Sequence, residues 1–405
     1  MTLLLVFAAV LLLSVLLSAL AHRTVLSTAV VFLVAGFLAG DGVLGLVHVT
    51  AGSSIVGDLA ELALFAVLFT DGMRVGWNDL RSAWRLPGRA LGWGLPLTLL
   101  ITALLARFVV GLDWTSALLL GAVLSPTDPV FAAALVGNDS VPARLRHLLN
   151  VESGVNDGLA LPFVVVLLAA AEGSSDLHLA TLAAELVLGV VLGVGIPWAA
   201  IRLERTRLFA VSDQYLPLNA VAIGLLVLAL GKTTHANLFL AAFAAGITVA
   251  TVGRPQREAF EEFGELLAEL LKLAALLVFA ALLSPELFTR VGPAGWGFVL
   301  LSLAVARPVA LWISFLGSGL CWPEQAAAAW FGPKGFASVV YGLLVLAHGI
   351  DDGPRVFDLI AVTIVASIVL HSSTDVLVAR VFENSGMPVW RLRRNDRRPR
   401  IPRRS

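Results

Sequence analysis

Residues 150–158 read "NVESGVNDG" and lead directly into the apolar stretch "LALPFVVVLLAAA". Ionisable groups beside such a stretch are costly in a bilayer, so where they occur they are paired, face water and mark function. On a helix Ser153 and Asp157 lie four apart and share a face, while Glu152 and Asn156 share the neighbouring one. Asp157 with Ser153 supplies hard oxygen ligands suited to a small cation. Glu152 needs a buried countercharge, and Arg307 in "AVARPVALW" is the candidate, because an unpaired arginine at that depth is expensive.

Two further stretches break the apolar pattern. "SPTDPVFAA" sets Thr127 and Asp128 between Pro126 and Pro129, and "WFGPKGFAS" sets Lys334 among Gly332, Pro333 and Gly335. Proline removes a backbone donor and clashes with the preceding turn, so both segments are expected to unwind inside the membrane. Facing charges Asp128 and Lys334 would then neutralise the dipole ends of the half-helices. Asp71, in "LFTDGMRVG", reads either as part of an acidic funnel that gathers cations or as an interfacial partner of Arg74. Lys272 follows Glu269 by three positions and is expected to pair with it along one helix. Glu185 and Asp375 have no evident partner. The histidines, with His147 and His371 nearest the chemistry, show no metal-site spacing. Cys321 stands alone, which excludes an intramolecular disulfide, and reads as a small buried apolar residue.

The elements that carry these groups follow from composition. The chain has 405 residues, 58% hydrophobic and 14% charged, with a mean hydropathy of +0.90; soluble domains carry about 25% charged residues. The sequence therefore specifies an all-α polytopic membrane protein. About thirteen runs are long enough to span a bilayer, near 3–21, 26–45, 53–72, 90–111, 115–136, 148–171, 178–201, 214–231, 234–252, 263–284, 295–317, 324–348 and 356–379. The first has no basic n-region and is read as a span rather than a cleaved leader. With the N-terminus outside, the inner loops and tail receive most of the arginines, whereas the outer loops receive Lys232, Arg290 and Arg355. The two interrupted spans are seven apart and cross in opposite directions, the signature of an inverted repeat with its site at the midplane. Residues 390–405 form a basic cytoplasmic tail, a topology anchor or a binder of anionic lipid.

"TDP" in one broken span, "ESGVNDG" in the next, "RP" in a late span and "FGPKG" before a basic tail closely resemble the monovalent cation:proton antiporters of the sodium/proton exchanger type, in their bacterial and archaeal branch. The resemblance implies a transmembrane antiporter domain over about 1–389. Its core, about 90–171 and 295–379, carries two crossing broken helices, and a panel, about 1–72 and 178–284, forms a homodimer. It further implies that Asp157 takes either the proton or the cation, and that Ser153, Thr127 and Asp128 help ligate a monovalent cation beside Asn156. Asp71 would complete the site, and Glu152 with Arg307 would be structural support. Where electrogenic relatives have two adjacent aspartates, Asn156 precedes Asp157, so the simplest cycle is electroneutral, one H⁺ for one Na⁺, K⁺ or Li⁺. Alternatives are a cation channel or efflux pore on the same fold, and an intramembrane hydrolase with Asp128 and Asp157 as a carboxylate dyad. The expectation is a multi-pass protein of a bacterial cytoplasmic membrane, with the C-terminus inside, that is not an enzyme, needs no cofactor beyond the transported ions and binds no nucleic acid.

Overall fold

A backbone in hydrocarbon must satisfy its own polar groups, so apolar runs of this length fold as helices. The computed structural model describes residues 1–21, 28–50, 53–74, 86–128, 141–172, 179–206, 208–209 and 211–384. Arg23, Arg81, Arg85, Pro129, Arg207 and the basic tail lie outside the described residues, as do the side chains of Asp375 and Arg380. The helices are α1 (Thr2–Ala21), α2 (Thr28–Ala39), α3 (Ser54–Arg74), α4 (Pro87–Val110), α5 (Trp114–Leu124), α6 (Ala143–Ala171) and α7 (Leu179–Glu204). They continue with α8 (Leu216–Thr234), α9 (Leu238–Val252), α10 (Arg254–Ala281), α11 (Gly292–Ser314), α12 (Trp322–Trp330), α13 (Phe336–Ala347) and α14 (Gly353–Asn384). Among the described residues there is no strand beyond an isolated bridge between Gly40 and Val47. Each expected span contains one helix, except the twelfth, which is α12 and α13, and the fifth, where α5 ends at Leu124 and residues 129–136 lie outside the described residues. Among the described residues, six helices, α4, α6, α7, α8, α11 and α14, are long and apolar enough to cross a membrane by themselves.

Two boundaries differ from the sequence reading in a way that matters. Helix α6 starts at Ala143 rather than near 148, so Glu152 is already nine residues along it, roughly 14 Å at 1.5 Å per residue. The "ESGVND" cluster therefore lies within the bundle, where Glu152, Ser153, Asn156 and Asp157 are all buried. Helix α10 starts at Arg254, before the apolar run, because Glu258, Glu262, Glu265, Glu269 and Lys272 recur every three to four positions and give it a polar stripe.

Local signals fix the segments around the break. Gly111, at φ +80°, ends α4 in the left-handed region, and Asp113 caps α5 by accepting from the backbone N–H of Thr115 (2.7 Å) and Ser116 (3.1 Å). Helices α4 and α11, the fourth and eleventh spans, both contain π-helical turns, at Ala90–Gly94 and Ala106–Val110 in one and Ser302–Ala306 in the other. Such turns re-aim the residues that follow; the one in α11 ends immediately before Arg307. Elsewhere close approach depends on small residues: a Cβ on Gly246 of α9 would lie 2.2 Å from the Phe69 carbonyl of α3, and one on Gly72 would lie 2.5 Å from that of Phe243. Leu5 and Leu16 on α1, Val187 and Val191 on α7 and Leu225 on α8 are exposed, as lipid-facing side chains of a membrane bundle are.

Candidate functional site

Helix α5 stops at Leu124, and residues 125–128 run on without helical hydrogen bonds into the interior. The second break, residues 331–335, separates α12 from α13. The breaks meet directly, for the Asp128 N–H donates to the Pro333 carbonyl (3.0 Å). Only glycine permits this approach: a Cβ on Gly335 would sit 2.1 Å from Asp128 Cβ, and one on Gly332 would sit 1.8 Å from Arg307 Nε. That explains the composition of "FGPKG" in physical terms.

Orphan backbone groups at the breaks are satisfied by side chains from packed helices, as hydrocarbon requires. Ser153 Oγ donates to the Thr127 carbonyl (3.0 Å), and Asn156 Nδ2 donates both to that carbonyl (2.9 Å) and to Thr127 Oγ1 (2.8 Å). Ser338 Oγ donates to the Val123 carbonyl (2.7 Å), the Phe336 N–H points at Asp128 Oδ2 (3.5 Å), and the Lys334 N–H donates to Ser367 Oγ (2.8 Å). His371, weighed in sequence only as a ligand, places its ring nitrogens 2.8 Å from the Ser367 carbonyl and 3.0 Å from the Trp330 carbonyl at the end of α12.

Arg307 and Glu152 form a buried two-pronged pair, Nη1 to Oε1 at 2.7 Å and Nη2 to Oε2 at 3.1 Å, with each side chain 5% exposed. Arg307 Nη2 also reaches the Ala328 and Phe331 carbonyls (3.3 and 3.4 Å), so one guanidinium ties α11, α6 and the end of α12 together. Glu324 at the start of α12 is held by Arg144 at the start of α6.

Asp157 is placed differently. It is 6% exposed, yet its carboxylate makes no hydrogen bond or ion pair with a described residue. Its backbone carbonyl accepts from Tyr341 of α13 (2.9 Å), and Pro162 one turn on leaves the Gly158 carbonyl without an intrahelical donor. The charged groups that act on Asp157 electrostatically are Asp71, Asp128 and Lys272. Asp71 is buried and keeps Arg74 at 3.3 Å, so it is both close to the cluster and paired, the two readings its sequence left open. Asp128 lines two cavities, one shared with Thr127, Glu152 and Ser153 and the other with Glu269 and Lys272.

Three sequence expectations are corrected. Asp128 faces Lys272, at 3.9 Å, instead of Lys334. The ammonium of Lys334 is buried with no hydrogen-bond partner among the described residues, while its backbone N–H donates to Ser367 Oγ. Lys272 thus reaches across to the break rather than pairing along α10 with Glu269. Cys321 is exposed, not buried, because it occupies the cap of α12, where its N–H and Sγ meet Glu324 Oε2 at 3.0 and 3.1 Å. Tyr341 escaped the sequence reading altogether; its signal was rarity, one of two tyrosines in the chain, in an otherwise apolar helix.

Fold and site together define a polytopic helical membrane protein in which two interrupted segments meet beside a buried, unpartnered carboxylate. Residues 9–380 match the family described as sodium/hydrogen exchanger, transmembrane, and the chain belongs to that family, one of transporters and not of enzymes. It is 25% identical over 377 residues to the K⁺/H⁺ antiporter NhaP2 of Shewanella baltica, covering 91% of this chain and 64% of that protein. It is 28% identical over 355 residues to the K⁺/H⁺ antiporter NhaP of Alkalimonas amylolytica, covering 86% and 61%. The chain thus spans less than two thirds of the length of these curated relatives. Its fold is that of the sodium proton antiporter MjNhaP1 from Methanocaldococcus jannaschii, with a TM-score of 0.75 at 18% identity over 94% of this chain and 99% of that one.

Proposed function

We propose that this protein exchanges a monovalent cation, Na⁺ or K⁺, for H⁺, one for one and without net charge movement, by competition at Asp157. The observation that carries this reading is the Asp157 carboxylate itself, buried and unpartnered next to a broken backbone whose neighbours Glu152 and Asn156 are already engaged. A buried anion without a partner is expensive, so it holds either a proton or a cation, and the empty charged form resists crossing the apolar barrier. Exchange is obligatory for that reason. Ser153, Thr127, Asp128 and Asp71 supply the remaining oxygens, with Asn156 holding Thr127, and Glu152, Arg307 and Lys334 support the fold of the core.

The core, about 90–171 and 295–379, carries the site and moves against a panel, about 1–72 and 178–284, through which two copies form a homodimer. The orientation is N-terminus outside and C-terminus in the cytoplasm of the cell membrane, and no cofactor takes part. The relatives' names support both candidate cations, since they include K⁺/H⁺ and sodium/proton antiporters. The test is a proteoliposome assay with an internal pH-sensitive dye and added Na⁺, K⁺ or Li⁺. The wild type dissipates a proton gradient on cation addition and Asp157→Asn does not; equal activity in the variant overturns the proposal.

A further inference from the structure

Lys272 belongs to α10, outside the helices that make the crossing, yet its ammonium lies 3.9 Å from Asp128 Oδ2 and is only 14% exposed. The charged groups that act on it are Asp128, Asp71, Glu269 and Arg74, three carboxylates against one guanidinium. It lines the same cavity as Asp128, Glu269 and Phe336, and Asp128 also lines a second cavity, with Ser153 and Glu152. The side chain is also among the charges that act on Asp157. A lysine so placed is a monovalent cation on a tether: it has the charge of the transported ion, lies against a carboxylate of the candidate site and cannot leave.

We infer that Lys272 is a built-in competitor that neutralises Asp128 and weakens binding of the transported cation at Asp157, so that the cation is released and the cycle turns over. This rests on the exchange reading above. Coulomb interaction in a partly buried site falls slowly with distance, and removing one positive charge strengthens the attraction for any cation held nearby. The same loss strengthens proton binding, so the effect is visible in cation affinity only at alkaline pH, where protons no longer compete. Because the lysine bridges α10 to the crossing, the ion pair also has to break or travel when these elements move relative to each other.

The experiment compares wild type, Lys272→Gln and Lys272→Arg, purified and tested at alkaline pH for Na⁺- and K⁺-induced thermal stabilisation and, in proteoliposomes, for the KM and kcat of cation-driven proton exchange. Lys272→Gln is expected to bind the cation about tenfold or more tightly, with KM falling and kcat falling with it, whereas Lys272→Arg retains the wild-type values. A folded Lys272→Gln with wild-type affinity and KM overturns the inference, as does an Arg variant that behaves like the Gln one, since shape rather than charge would then be at work. Should Lys272→Gln not fold, the charges are removed together in Asp128→Asn/Lys272→Gln, which is expected to bind cation more tightly than Asp128→Asn alone; equal affinity overturns the inference. A wild type that neither binds nor exchanges cations overturns the exchange reading instead, so the two failures are distinct.

Discussion

Glu152→Gln removes one charge from the pair that fastens α6 to α11 while keeping volume and one acceptor. At 2.7 Å the Coulomb attraction is about 6 kcal/mol with an effective dielectric constant of 20, an upper bound before desolvation is counted. Breaking a buried pair by deleting one partner costs about 3–5 kcal/mol, because the other charge is stranded. Arg307 keeps the Ala328 and Phe331 carbonyls at 3.3 and 3.4 Å, which places the expected loss at the lower end, about 3 kcal/mol. Spread over the unfolding entropy of 405 residues, that is a drop of about 4 °C in Tm. Scanning fluorimetry in detergent measures it. Glu152→Gln/Arg307→Met, which strands no charge, is expected to lose less than the sum of the single variants. An unshifted Tm for Glu152→Gln, or strict additivity in the double variant, would refute the reasoning that this pair clamps the core.

Gly335→Ala forces a methyl group to within 2.1 Å of Asp128 Cβ, so the two breaks must separate; exchange in proteoliposomes is expected to fall at least tenfold. Asn156→Asp replaces the amide that donates to Thr127 with a carboxylate that repels the same carbonyl, and is expected to lose exchange rather than gain a second ion-coupled charge, as measured with and without a clamped membrane potential. Tyr341→Phe leaves the Asp157 carbonyl without its hydroxyl donor, costing about 1 kcal/mol and changing turnover less than tenfold in the same assay.

What the sequence made legible was whatever a bilayer forces into view. Glu152 and Arg307 stand 155 positions apart, yet two intramembrane charges of opposite sign each demand a partner, and they are each other's. Pro126 with Pro129, and Pro333 with Gly332 and Gly335, announced the breaks, and "ESGVND" announced the helix that serves them. What stayed hidden depends on which face a helix turns to its neighbours. Spacing along α10 joins Lys272 to Glu269, but the rotation of that helix against the crossing, set by packing, directs the lysine to Asp128. Backbone satisfaction is equally invisible, since nothing in "SIVLH" says that His371 and Ser367 will serve carbonyl and N–H groups at the second break. Charge alone suggested that Lys334 would face Asp128; its ammonium has no hydrogen bond among the described residues, and it is the Pro333 carbonyl, not the lysine's charge, that meets Asp128.

The central claim is that proton and cation compete for one carboxylate, and proton release on cation binding tests it most directly. Purified protein in weakly buffered detergent, near the pH at which Asp157 is half protonated, is titrated with Na⁺ and K⁺ while bound cation and released H⁺ are counted. The account predicts that cation binding displaces protons in the wild type, that the number released per cation rises toward one as pH is lowered, and that Asp157→Asn releases none. Cation binding without proton release, or undiminished release from Asp157→Asn, would contradict it.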